Sequence, residues 1–313
     1  MKKLKLAFLN KYQGKVNRGA ETFVKEVSQR LSQNYQVDII SEINYLDLLK
    51  KKYDLIIPTN GRFQVVFTRI ITWLTGGKMI VSGQSGMGWD DKVNLYSLPD
   101  YFIPISSEAL RWAKKINPFV KSKYIPNGVD LDKFKTDNLK LKTDLKRPII
   151  LCVGALTKTK RIDLVIKAVS KMKEVSLLIV GKGEEEGKLQ TLGTRLLGNR
   201  FMITNFPYKR MPEVYRVADL FTLVSEPFHS FENVLVEAMA TNLPVVANDD
   251  PIRREIVGDG GLLVNSNNIE EYANALKSAL ETNWGNKPRE QAKRFDWDII
   301  AKKYEGLIAG FNT

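Results

Sequence analysis

Alternation constrains this chain more than any other feature. Short apolar runs are separated, repeatedly, by segments whose apolar residues recur at helical spacing. In the first half the runs fall at residues 3–9, 37–40, 55–58, 79–81 and 101–104. Between them, Phe23, Val24, Val27 and Leu31 mark one helix face. Phe63, Val66, Phe67, Ile70, Ile71 and Leu74 mark another, closed by Gly76-Gly77. Residues 108–116 read as a further helix, and 123–125 run into the turn Pro126-Asn127-Gly128. Residues 133–147, rich in Lys and Asp without apolar periodicity, read as a linker. A second series follows, with strands at 149–153, 176–180, 201–204, 220–224, 244–247 and 262–264. Its helices fall at 162–172, 185–196, 212–218, 231–241 and 269–282, and an amphipathic segment closes the chain at 297–311. Strands separated by helices form parallel sheets through right-handed crossovers. Two such series predict an α/β protein of two Rossmann-like domains, with ligand-binding loops at the carboxyl ends of the strands.

Length and composition fit that reading. A chain of 313 residues suits two domains, and 43% hydrophobic with 27% charged residues suits a soluble enzyme. No apolar run approaches the ~20 residues of a membrane-spanning helix. The opening Met-Lys-Lys-Leu-Lys-Leu-Ala-Phe-Leu-Asn is too short in its apolar part for a secretory signal, so a cytoplasmic protein is expected. The single cysteine, Cys152, lies inside an apolar run and reads as a reduced core residue. Net charge is +13 and uneven: residues 1–145 hold 24 Lys and Arg against 14 Asp and Glu, residues 146–313 hold 24 against 21. A basic first domain favours an anionic partner such as a membrane leaflet or a lipid phosphate, although a solvated basic surface gives the same count. Nucleic acid is disfavoured, since no recognisable binding motif is present.

Residues 225–240, Ser-Glu-Pro-Phe-His-Ser-Phe-Glu-Asn-Val-Leu-Val-Glu-Ala-Met-Ala, read as a strand end, a polar loop and a helix beginning near Ser230. A helix start exposes about four unpaired backbone N–H groups and about half a positive charge, a seat for phosphate. Glu237, two turns in, is placed to accept hydrogen bonds from sugar hydroxyls. The wider run, through Glu237-Ala238-Met239-Ala240 and Pro244-Val245-Val246, resembles the donor-binding signature of the retaining glycosyltransferases of family 4, which have the GT-B fold. Gly19-Ala20-Glu21, Ile125-Pro126-Asn127-Gly128-Val129-Asp130, and Val153-Gly154-Ala155-Leu156 with Lys160 match further motifs in the same order.

The resemblance implies an acceptor domain at 1–140, a nucleotide-sugar donor domain at 141–295 facing it across a cleft, and a helix at 296–313 crossing back to the first domain. It implies transfer of a sugar from a UDP- or GDP-linked donor to a hydroxyl of a glycan, polysaccharide or lipid-linked acceptor, with retention of configuration and no cofactor or metal. By this likeness Lys160 and Arg161 meet the leaving diphosphate, together with backbone N–H groups of Phe231, Glu232, Asn233 and Val234. Glu237 binds ribose, and Gly19 and Gly154 permit close approach of the donor. His229, the only histidine, stands where the family has its first Glu, and with Lys160 it is the expected catalytic pair. Ser230 and Glu232 replace glycines, Ala155 replaces an Arg, and Arg161 stands at a position usually given to Gly. Asn60, Gln84 and Ser85 are weaker candidates for acceptor or sugar contact. Asp130 with Asp132, and Asp296 with Asp298, imitate a metal-binding DxD pattern but are read as decoys. Helix 63–74, carrying Trp73 and flanked by Arg62 and Arg69, is expected to pack on the sheet, with a membrane surface as the alternative. Three other readings stay open: a binding module without turnover, a nucleotide-sugar epimerase and a nucleic-acid binder. Oligomeric state is open as well.

Overall fold

The apolar runs pair as the alternation requires. The computed structural model describes residues 3–15, 19–84, 86–135, 141–226 and 231–311. In chain order the first series is β1 (Lys5–Leu9), α1 (Gly19–Leu31), β2 (Gln36–Ile40), α2 (Tyr45–Lys51), β3 (Leu55–Pro58), α3 (Phe63–Thr75), β4 (Lys78–Gly83), α4 (Trp89–Tyr96), β5 (Tyr101–Pro104) and α5 (Ser107–Ile116). Its strands form one parallel sheet in the order β2-β1-β3-β4-β5. The second series is β6 (Ile149–Val153), α6 (Ile162–Ser170), β7 (Ser176–Val180), α7 (Glu186–Leu197), β8 (Phe201–Thr204), α8 (Met211–Arg216), β9 (Leu220–Leu223), α9 (Asn233–Ala240), β10 (Val245–Asn248), α10 (Pro251–Val257), β11 (Gly261–Val264), α11 (Ile269–Glu281) and α12 (Lys287–Lys293), with α13 (Trp297–Ala309) last. Its sheet is also parallel, in the order β11-β10-β9-β6-β7-β8. Every residue of β3, β6, β7, β9 and β10 is buried, as expected of strands covered on both faces.

The chain divides into two units, Met1–Gly128 with Trp297–Thr313, and Val129–Asp296. The division lies upstream of the linker read from the sequence. Residues 129–135 go with the second unit, where Phe134 packs edge-on against Tyr215 at 5.8 Å and Val129 N–H donates to the Phe295 carbonyl at 2.7 Å. Helix α13 goes with the first, its Trp297 and Tyr304 rings 6.4 and 5.5 Å from Phe23. Cys152 is fully buried in β6, and burial pushes its thiol up to about 12, so it is an inert core group.

Two departures matter. Helices α2, α4, α10 and α12 are short and lack apolar periodicity; α2 and α10 are fixed by caps instead. Asn44 Oδ1 accepts from the N–H groups of Leu46 and Asp47, and Asp250 Oδ1 from those of Ile252 and Arg253. The second concerns helix 63–74, which packs on the sheet as expected but through a different face. Helix α3 packs on its sheet through Gln64, Val65, Thr68, Ile71 and Thr72, and turns most of its apolar stripe outward.

Candidate functional site

In the second sheet, strand order reverses between β6 and β9: the chain leaves β6 toward β7 and leaves β9 toward β10. The two following loops therefore diverge, which is where doubly wound sheets bind ligands. The loop after β6 begins at Gly154, whose N–H donates to the Val180 carbonyl at 3.1 Å, and it rests on two other glycines. A Cβ at Gly181 would sit 1.9 Å from the Gly154 carbonyl oxygen, and one at Gly183 2.4 Å from that of Leu156. A Cβ at Gly154 would make ordinary contact with Leu223 and the Lys160 stem at 4.0 Å, so this glycine is not demanded by crowding. The loop after β9 is tied to the first by Glu226 N–H, which donates to the Thr159 carbonyl at 2.8 Å.

Lys160 and Glu232 meet here. The Lys160 ammonium lies 2.6 and 2.7 Å from the two carboxylate oxygens of Glu232. Ser225 Oγ donates to the same carboxylate at 2.6 Å, and the guanidinium of Arg253 stands 3.4 Å from it. Arg253 has no exposed surface and lies 3.4 Å from Asp250 as well. Burial pushes the Glu232 carboxyl up, but the charges of Lys160 and Arg253 with two hydrogen bonds outweigh it and hold the group below the usual carboxylate range. Two cations thus balance two anions, and the expected free charge on Lys160 is already neutralised. Glu232 has φ +57° and Arg161 φ +50°, left-handed backbone that favours glycine. These are two positions where the resemblance expects glycine, so the backbone shape is kept and a charged side chain added. The Arg161 guanidinium donates to Asn267 Oδ1.

Glu237 lies on the second turn of α9, buried between two phenols. Tyr208 donates to Oε1 at 3.0 Å and Tyr215 to Oε2 at 2.8 Å. Burial raises the Glu237 carboxyl despite these bonds and the nearby charge of Lys133, whose ammonium sits 3.5 Å from the centre of the Tyr208 ring. Burial and then Glu237 raise the Tyr215 hydroxyl as well, so the phenol stays a donor. A carboxylate offers about four lone-pair positions; two are used, which leaves two for a vicinal diol. Phe231 is buried edge-on against Phe295 at 5.7 Å, so only its backbone is available to a ligand. Asn233 and Val234 form the first turn of α9 and are half-buried. His229, Ser230 and Ser85 lie outside the described residues.

In the first unit Gly19 opens α1, and Glu21, two residues on, is buried with Oε2 lacking a hydrogen-bond partner among the described residues. Asn60 Oδ1 accepts from Lys11 N–H at 2.7 Å. Gln84 and Asn127 exchange amide hydrogen bonds, both at 3.0 Å. Asp130 closes a turn by accepting from the N–H groups of Asp132 and Lys133, and Asp298 pairs with Arg30 at 2.5 Å. Sequence reasoning missed Tyr208, Tyr215, Ser225 and Arg253. Only Ser225 stands in a quoted run, and the roles of all four come from distances that the fold creates.

The family model described as glycosyl transferases group 1 matches residues 133–296, slightly more than half of the chain. The chain belongs to that family. Among curated relatives, a Campylobacter jejuni N-acetylgalactosamine-N,N'-diacetylbacillosaminyl-diphospho-undecaprenol 4-alpha-N-acetylgalactosaminyltransferase is 33% identical over 224 residues, 66% of this chain and 60% of the relative. A Mycolicibacterium smegmatis phosphatidyl-myo-inositol mannosyltransferase is 30% identical over 189 residues, 56% of this chain and 49% of the relative. The chain thus spans about half to three fifths of the length of these relatives. Among solved structures, Anabaena HepE in complex with UDP and glucose superposes with TM-score 0.80 over 98% of this chain and all of that one, at 19% identity. The apo lipopolysaccharide outer core galactosyltransferase WaaB superposes with TM-score 0.77 over 98% and 99% of the two chains, at 15% identity. At such identities the likeness establishes the fold, which is GT-B. Within this chain the family match covers Lys160, Glu232 and Glu237 together.

Proposed function

We propose that this chain is a retaining, metal-independent glycosyltransferase of the family-4 type, using a UDP- or GDP-linked sugar and a glycan or lipid-linked acceptor at the cytoplasmic face of a membrane. The observation that carries this reading is Glu237, a buried carboxylate with two donors fixed behind it and acceptor capacity in front, one turn beyond a helix start. In this account the diphosphate lies against the first amides of α9 and the ribose diol reaches Glu237. The bond from the anomeric carbon to the phosphate oxygen breaks, and its electron pair stays on the phosphate. The acceptor oxygen attacks from the same face, and its proton passes to the departing phosphate oxygen, so no protein base is needed. The helix start, with Lys160 once it turns from Glu232 toward the diphosphate, stabilises the negative charge that develops there. The names of the relatives support the acceptor class: one acts on a diphospho-undecaprenol glycan and another on phosphatidyl-myo-inositol.

A second reading is favoured by one observation. Glu232 already holds Lys160, which suits a module that binds nucleotide sugars without turning them over. Calorimetric titration with UDP, GDP and their sugars, coupled to product detection, separates the two. Binding with transfer or slow hydrolysis supports the enzyme, binding alone supports the module, and no binding of either nucleotide contradicts both. Replacing His229 with Glu restores the family's residue and is expected to shift donor preference or raise the rate. An unchanged donor profile and rate would remove position 229 from sugar recognition.

A further inference from the structure

The outward face of α3 carries Phe63, Val66, Phe67, Ile70, Trp73 and Leu74, exposed to 76, 37, 47, 45, 62 and 70%. At 3.6 residues per turn these six share about a third of the helix circumference, opposite the buried arc of Gln64, Val65, Thr68, Ile71 and Thr72. No acidic residue occurs in α3. Helix α2 packs alongside it, setting Tyr45 5.1 Å from Phe67, adding exposed Leu46, and ending in exposed Lys50, Lys51 and Lys52. On another side Arg69, stacked 5.0 Å over Trp73, leads into a hollow of about 450 Å³ that Lys78, Lys121, Leu98 and Phe119 also line. Among the described residues the one carboxylate lining the hollow is Asp100, which pairs with Arg69 at 2.7 Å and Lys78 at 3.3 Å, so three cations there face one anion. The unit as a whole holds 22 Lys and Arg against 12 Asp and Glu.

A contiguous apolar patch of this kind on a soluble fold marks an interaction surface. Charge decides the partner. A second copy meeting this face across a two-fold axis would set the cationic margins of one copy, lysine rim or hollow, against those of the other. An anionic bilayer presents the opposite sign to both, takes the apolar stripe below its headgroups and places Trp73 at the interface. No helix of the described residues is long and apolar enough to cross a membrane, and α3, about 20 Å long, lies in the plane instead.

We propose that the α3 face and the adjoining cationic hollow dock this chain on an anionic lipid bilayer. The proposal rests on the membrane part of the functional reading and not on its transfer chemistry. The test is sedimentation of the full chain with phosphatidylcholine vesicles, with and without phosphatidylglycerol. It is repeated for a Phe63→Ser, Phe67→Ser, Trp73→Ser variant and for Lys78→Ala with Lys121→Ala. Anionic vesicles are expected to bind at least about tenfold more tightly than neutral ones, and added salt to reduce the preference. Each variant is expected to lose about tenfold or more while its thermal midpoint and UDP or GDP affinity stay unchanged. The substituted side chains of the serine variant are exposed, and the double alanine variant leaves the apolar stripe intact if that one proves insoluble. Equal binding to both vesicle types, wild-type binding by the variants, or a dimer that the serine variant dissolves in place of vesicle binding would overturn the proposal. An unsubstituted chain that binds nucleotide but neither vesicle type sinks this docking surface alone; one that binds anionic vesicles but no nucleotide sinks the transferase reading alone.

Discussion

Each unit buries a carboxylate near its sheet, and the two titrate in opposite directions. Glu232 in the second unit is held ionised: burial pushes it up, but Lys160 and Arg253 with Ser225 pull it further down. Asp91 in the first unit has burial as its largest influence, a like charge at Asp90 and one hydrogen bond from Asn94, at 2.9 Å, against them. Its carboxyl is pushed up to about 7. The surroundings extend the contrast. The switch point of the second sheet, between β6 and β9, gathers Lys160, Asp250, Arg253, Glu232 and Glu237. Among the described residues that of the first, between β1 and β3, gathers mostly neutral groups: fully buried Asn10, Thr59 donating to the Leu9 carbonyl at 3.0 Å, Asn60 and Gln64, with Glu21 in the first turn of α1 as its buried carboxylate. One topology supplies both crevices, and the residue types decide what each can recognise. Paired buried charge suits a site that must exchange an internal anion for a ligand's; amides and hydroxyls suit hydroxyl recognition.

The largest expected effect breaks the charged side of this contrast. Arg253→Met leaves Asp250 without its cation and Glu232 with Lys160 alone, and is expected to destabilise the second unit by about 3–5 kcal/mol in chemical denaturation. A loss below about 1 kcal/mol would mean that the guanidinium is not integral to the cluster.

Next comes Asp91. Its ordinary value of 3.8 in the unfolded chain is raised to about 7 on folding, so between those values the native state binds more protons. Its contribution is full below the unfolded value and is lost as pH rises through about 7. Asp91→Asn is therefore expected to flatten the decline in stability across that window and to leave the first unit more stable by a few kcal/mol at pH 8. Unchanged pH dependence would show Asp91 to be solvated. Glu232 has the opposite sign: its contribution is present above the usual carboxylate range and fades as pH falls through its lowered value.

Smaller in energy is Glu237→Gln, which keeps the shape and one acceptor but loses the charge. Nucleotide affinity is expected to fall at least tenfold, about 1.4 kcal/mol. Because burial raises the Glu237 carboxyl, wild-type affinity is expected to weaken as acid conditions protonate it.

Both sheets were readable from the sequence because runs such as Ile149–Val153 and Leu55–Pro58 are apolar throughout, as buried parallel strands must be. Short helices such as α2 and α10 were not, since their seven residues carry no apolar period. Their caps, Asn44 and Asp250-Pro251, were the only signals. Helix α3 was recognised and packs on the sheet as expected, but most of its apolar stripe faces outward. Periodicity locates an apolar face without saying whether sheet or solvent meets it, and here Gln64, Thr68 and Thr72 pack inward by bonding locally, Thr68 Oγ1 to the Gln64 carbonyl at 2.7 Å. At the site, Lys160 and Glu237 stood in ordered motifs, and Glu232 stood out as a charge where glycine was expected. That Lys160 and Glu232 form one ion pair, spanning 72 positions, follows from the β6–β9 adjacency.

In the proposed reading Glu232 holds Lys160 in competition with a donor diphosphate at the start of α9. The most direct test of that claim is the affinity for UDP and GDP of Glu232→Gln against wild type, measured by calorimetry at fixed salt. With the carboxylate charge gone and the side chain's shape kept, whichever nucleotide binds is predicted to bind about tenfold more tightly. Equal or weaker binding by a folded Glu232→Gln protein would contradict the claim.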